Sequence, residues 1–150
     1  MLNASIISAD AINAERGLPF GGEGLPESGW AETLRIQLER LRHAATQRVH
    51  VVVDDTLFYR WLRDRFRAEA QASGFHTSLL LLRPTEHELL ARHARLLELR
   101  QRPVLSIERL QDHLRRFEWP SSDERPIEVT SSDQQAAFLA ALPSTPNNAG

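Results

Sequence analysis

Apolar residues in this chain fall into short continuous runs separated by longer stretches of helical period. Residues 4–8 (Ala-Ser-Ile-Ile-Ser) and 127–130 form two short runs, and 49–53 (Val-His-Val-Val-Val) is nearly continuous and β-branched. Residues 77–82 end in four consecutive leucines. Each run predicts a strand. Runs of this kind, unlike alternating patterns, predict strands covered on both faces, as in a parallel sheet. Between them, residues 30–45 carry Leu34, Leu38 and Leu41 at helical spacing. Residues 57–72 carry Phe58, Trp61, Leu62 and Phe66, and Gly74 follows as the left-handed residue that closes a helix. Thr85-Glu86-His87-Glu88 forms a capping box for a helix to about residue 99, with Pro84 breaking the chain before it. Ser106 predicts the cap of a helix to about residue 117. Ser132-Asp133-Gln134-Gln135 opens the last helix, which ends near residue 142. Strand–helix alternation predicts an α/β fold, a parallel sheet with flanking helices. No internal repeat or boundary divides residues 1–142, and residues 143–150 have the composition of a disordered tail.

Composition narrows the chemistry. The 150 residues carry a formal net charge of −2, with 41% hydrophobic and 25% charged residues, values that suit one soluble globular domain. Cysteine is absent, which removes disulfides, a thiol nucleophile and thiolate metal sites. No apolar run approaches the roughly 20 residues that span a bilayer. Residues 1–10 lack a basic segment followed by an apolar stretch, so a cytoplasmic address is expected. All 18 basic residues are arginine. Without lysine there is no Schiff base, no phosphate-loop lysine and no lysine partner for a phosphorylated aspartate. The near-neutral balance argues against a general nucleic-acid binder, whose domain pI usually exceeds about 9.

Several residues then stand out. Asp54 and Asp55 end a buried strand, where parallel sheets bind ligands. A carboxylate there can hold Mg²⁺ or orient a nucleophile, whereas a cap on the next helix would explain one acid but not both. Asp10 follows the first strand and shares that rim if the sheet is parallel. It could take a proton from an acceptor hydroxyl, or simply cap a helix. Residues 17–27 form a glycine-rich loop that lacks the lysine and Ser/Thr of a phosphate cradle. It is expected either as a mobile loop over the rim or as a connector. Arg60, Arg63 and Arg67 share one helix face opposite the apolar one, and are expected as a solvated stripe pairing with acids. Arg92, Arg95, Arg100 and Arg102 lie on and just after the helix following the third strand, from which they can either reach inward to phosphate or simply face solvent. His87 and His93 lie six residues apart, about 240° around a helix, so they share no metal face. No serine sits in a Gly-x-Ser-x-Gly elbow.

Taken in order, these segments resemble the small P-loop kinase-like proteins grouped with polynucleotide 5′-kinases, zeta toxins and chloramphenicol phosphotransferases, the AAA-type ATP-binding kinases. The matching stretches are residues 6–12, residues 51–56 with Arg60 and Arg63, Arg92-His93-Ala94-Arg95, and residues 114–120 leading into Asp123-Glu124. The resemblance implies a P-loop NTPase-like fold that uses ATP and Mg²⁺. It implies Asp10 as general base, and Asp54 as the Mg²⁺-supporting acid with Asp55 beside it. Arg92 and Arg95 become lid arginines over the phosphates, with Arg60, Arg63, Arg100 and Arg102 as further nucleotide-side cations. The acceptor would be a hydroxyl on a small molecule or a nucleic-acid end.

The departure from the family lies before Ser5. There the family carries its first strand, the Gly-x-x-x-x-Gly-Lys-Ser/Thr loop and a helix, on the order of 25–30 residues. That strand is central in the family sheet, between those matching residues 49–53 and 77–82. Its absence is expected to leave two strand edges unpaired, or to force them together, and so to favour a homodimer or aggregation. The expected activity is therefore a kinase-like phosphotransferase, truncated and inactive as written. The alternative is a vestigial α/β domain that acts as a binding or regulatory module.

Overall fold

The computed structural model describes residues 4–99 and 103–142. Strand β1 (Ala4–Ser8) pairs in parallel with β2 (His50–Asp54), in a register that sets Ile6 beside Val52 and Ser8 beside Asp54. Strand β3 (Leu80–Leu82) pairs in parallel with β4 (Ile127–Val129). Among the described residues these are two separate two-stranded sheets, and β2 and β3 do not pair with each other. The architecture is mixed α/β with parallel strands and flanking helices. The leucine run at 77–82 is trimmed to its last three residues.

Helix α1 (Ala9–Glu15) follows β1 directly, because Ser8 is extended and its Oγ accepts from the Ala11 amide at 3.5 Å. The long α2 (Glu27–Gln47) ends where Arg48 turns left-handed. Helix α3 (Arg60–Ala72) ends at Ser73, followed by Gly74 at φ +81°. There the Gly74 amide donates to the Gln71 carbonyl and the Phe75 amide to that of Ala70, and Phe75 folds back onto the core. Helices α4 (Glu86–Leu99), α5 (Ile107–Arg116) and α6 (Ser132–Ala141) complete the chain. The capping box of α4 forms as expected: Thr85 Oγ1 accepts from the Glu88 amide at 3.2 Å, while Glu88 Oε2 accepts from the Thr85 amide at 2.7 Å. The last helix opens at Ser132 as expected, with Ser131 as its cap.

The core joins β1 to three helices. Ile7 clusters with Ile12 of α1, Leu38 and Leu41 of α2, and Phe66 and Ala70 of α3, with Val51 and Val53 of β2 packed against them. Each large apolar side chain buried in this way contributes about 1.5–3 kcal/mol. The expectation of strands covered on both faces is corrected here. The other face of the β1–β2 sheet is open, with neighbours Ile6 and Val52 at 68% and 44% exposure. Trp61, expected on the apolar face of α3, is also exposed. No helix among the described residues is long and apolar enough to cross a membrane.

Candidate functional site

Register places the rim. Ser8 and Asp54 are partners at the carboxyl ends of adjacent parallel strands, so the chain leaves both strands at the same edge. Just beyond lie Asp10, in the first turn of α1, and the turn at Asp55. Ser8, Asp10, Asp54 and Asp55 all line one broad open cleft, which extends over much of the described chain. This is where open parallel sheets bind ligands.

Asp55 is held in place. Its Oδ2 accepts from Gln37 Nε2 at 3.1 Å, and its Oδ1 accepts from Thr56 Oγ1 at 3.3 Å and the Leu57 amide at 3.4 Å. Leu57 turns left-handed at φ +46°, a conformation costing roughly 1–2 kcal/mol for a residue with a Cβ. Gln37 is only 2% exposed and reaches the carboxylate from inside α2. Asp54 and Asp10 are exposed. Neither Asp55 nor Thr56 caps α3, which corrects the capping reading. The start of α3 is served instead by Glu118, whose Oε2 accepts from the Arg60 amide at 2.6 Å. Likewise Ser8, not Asp10, caps α1.

No group of three or more His, Asp or Glu side chains forms a metal cage among the described residues. An open rim of one or two carboxylates still fits Mg²⁺, which keeps several waters and takes further ligands from substrate phosphates. Asp54, with Asp55 beside it, would supply such oxygens. The phosphate side does not fit in the same way. The 150 residues contain no lysine and no Gly-x-x-x-x-Gly-Lys-Ser/Thr loop.

The arginines divide sharply. Arg63 is not part of a solvated stripe, which corrects that expectation. Its side chain is 3% exposed and forks onto Glu124, whose side chain is 0% exposed, through Nε at 2.7 Å and Nη2 at 2.9 Å. Its Nη1 donates to the carbonyls of Leu57 at 3.0 Å and Glu118 at 2.9 Å. Arg60 forks onto Asp123 at 3.1 and 2.6 Å and also donates to Ser121 Oγ at 3.0 Å. These guanidinium groups hold the Glu124 carboxyl down at about 2, against the raising effect of burial, and hold Asp123 well below the usual carboxylate range. Together they tie α3 to residues 118–124. Arg92 and Arg95 are exposed on α4, and neither lines the cleft. Arg100 and Arg102 lie outside the described residues.

The glycine-rich loop reaches the cleft through Phe20 and Gly21. Gly21 has φ +67°, and a Cβ there would lie 2.5 Å from Leu105 Cδ2. A Cβ on Gly22 would overlap the Trp30 ring. The Leu105 carbonyl is itself within 2.7 Å of Nε2 of the buried His93. The loop is therefore packed against the segment that enters α5. Two cleft residues escaped the sequence reading. Gln37 lines the cleft, and Thr33 and Gln37, four apart beside the apolar stripe of α2, were the available signal for it. Arg109 lines the cleft from α5, and its only signal was its place one turn inside the Ser106 cap.

A family model described as an AAA domain matches residues 2–120. No curated protein matches the chain. Among solved structures, the crystal structure of a gluconokinase from Sinorhizobium meliloti 1021 is similar, with a TM-score of 0.62 at 22% identity. The match covers 91% of this chain and 77% of that one. The likeness is one of fold, that of a P-loop kinase.

Proposed function

The chain belongs to the AAA domain family with a P-loop kinase-like fold, and from that membership we propose that it is an ATP-dependent phosphotransferase domain acting on a hydroxyl acceptor. One observation carries the reading. The parallel register of β1 and β2 brings Asp10 to the same rim as Asp54 and Asp55. In this reading Asp10 takes the proton of the acceptor hydroxyl as it attacks. Asp54 and Asp55 hold Mg²⁺, and Gln37 fixes the Asp55 carboxylate. Bound Mg²⁺ would neutralise charge on the transferring phosphoryl group.

The phosphate cradle is the part these residues do not supply. We infer that the 150 residues are inactive alone and need a strand–loop–helix unit bearing the lysine. The edges of β2 and β3 left unpaired among the described residues support this, because a further parallel strand could join the two sheets there. The acceptor is a small molecule or a nucleic-acid end. Gluconate is the first to assay, since the solved neighbour is a gluconokinase.

The test is transfer of labelled phosphate from Mg-ATP to a panel of hydroxyl acceptors. It is run on the 150 residues, and on the same residues joined to a Gly-x-x-x-x-Gly-Lys-Ser/Thr unit placed upstream. Transfer by the joined chain only, reduced about 10²–10⁴-fold in Asp10→Asn, is the expected result. A folded joined chain that transfers nothing to any acceptor would leave the non-catalytic binding module as the better reading.

A further inference from the structure

We propose that Thr33 is a positioning residue, which acts through α1 to set where Asp10 stands relative to Asp55 on the rim. The inference rests on the phosphotransfer reading above, in which Asp10 is the base and Asp55 a Mg²⁺ acid.

Helix α1 cannot place Asp10 by itself. Its seven residues make about two turns, and isolated helices this short are marginal in water. Two of its contacts give little direction. The Ser8 cap bond is long at 3.5 Å, and Ile12 enters the core through apolar packing, which is non-directional. The directional link comes from α2. Thr33 is 1% exposed, and two groups from α1 and its C-terminal cap converge on its one hydroxyl. Arg16 Nη1 donates to Thr33 Oγ1 at 2.5 Å and to the Gly29 carbonyl at 3.0 Å. That carbonyl, 3.2 Å from Thr33 Oγ1, is therefore already served, and the single hydroxyl proton goes to Asn13 Oδ1 at 2.6 Å.

The link is kept against stability. Asn13 is also 1% exposed, and its Nδ2 finds no acceptor among the described residues. A buried donor left unmade is destabilising, and an apolar pair would avoid it. What the polar link adds is direction. The same helix holds the other acid. Gln37 lies one turn beyond Thr33 on the same face of α2, and its Nε2 donates to Asp55 Oδ2 at 3.1 Å. Asn13 lies one turn beyond Asp10 on α1. Two buried side chains, a turn apart on one helix, thus hold the helix of the base and the carboxylate of the Mg²⁺ acid.

The experiment measures amide residual dipolar couplings in the 150-residue chain and in Thr33→Val, Thr33→Ser and Asn13→Ala. These report the direction of α1 against α2, which a mere loss of stability in a folded chain does not move. In Thr33→Val the α1 couplings are expected to change while those of α2 and α3 stay. Thr33→Ser keeps the hydroxyl and is expected to keep the original values. Asn13→Ala removes the other partner, so the test survives if Thr33→Val folds poorly. In the joined chain, Thr33→Val is expected to lower kcat about 10–100-fold with KM for ATP unchanged, and Thr33→Ser to restore it. The proposal is overturned if α1 keeps its direction in both Thr33→Val and Asn13→Ala, or if Thr33→Ser turns α1 as far as Thr33→Val does. Loss of the fold in both Thr33→Val and Asn13→Ala would make the link a structural one and overturn it as well. The underlying reading fails separately. A joined chain that transfers no phosphate would reject phosphotransfer while leaving the measured direction of α1 intact.

Discussion

Glu124 shows how a single side chain can hold this structure together. Its carboxylate is wholly buried, with Arg63 as its main charge partner and Arg67 Nη2 3.5 Å away. Removing one member of such a pair strands the other, so Glu124→Gln is expected to cost about 3–5 kcal/mol in urea unfolding. Replacing both residues by apolar ones of similar size should cost much less. The pH dependence has a definite sign. The folded carboxyl titrates near 2 and its ordinary value is 4.5, so the pair's contribution is full above about pH 4.5 and is lost as pH falls toward 2. Glu124→Gln should flatten the stability profile in that window, and an unchanged profile would show that another group controls it. At this scale the rim acids were legible in the sequence, because a strand end fixes where the next residues emerge. The role of Arg63 was not. Its partner lies 61 residues away, and no local spacing distinguishes a buried fork from a solvated stripe.

Elements with local signals were the easiest to anticipate. The α4 cap is a reciprocal bond between Thr85 and Glu88, three residues apart, and so is visible in the sequence. Helix α3 borrows its cap from Glu118, which only the tertiary fold brings near. The seven residues of α1 are too few to show a helical period. The glycine loop belongs to this scale as well. Gly21 combines a left-handed backbone with close approach to Leu105. Gly21→Ala should therefore destabilise the loop by roughly 1–3 kcal/mol and loosen its contact with the entry to α5. Hydrogen exchange at the amides of residues 104–107 is the measurement, with faster exchange expected. Unchanged exchange would mean that Leu105 moves aside without consequence.

For the molecule as a whole, the apolar runs announced the strands but not how much of each would be covered. Both faces were expected to be buried, and the structure covers one. The remaining face presents Ile6 beside Val52, next to a strand edge with no partner among the described residues. Apolar side chains beside unpaired amides and carbonyls are sticky. The 150-residue chain is therefore expected to self-associate as its concentration rises. Val52→Lys should shift sedimentation toward the monomer, because a charge on an open strand opposes edge pairing. Concentration-independent sedimentation of the unmodified chain would reject this.

The tie between α3 and residues 118–124 has one more consequence. It pins two distant points of the chain together, so the segment between Arg63 and Glu124 is a closed loop. Helices α4 and α5, with the connection between them, lie on that loop. The entropy of closing a flexible loop grows only with the logarithm of its length, about 0.6 kcal/mol for each doubling. With its ends fixed, a change of length within that segment, away from its helices and strand, costs the β1–β2 core little. The arginine fork thus separates the inheritance of the scaffold from that of the segment it carries, and lets one vary in length while the other stays fixed.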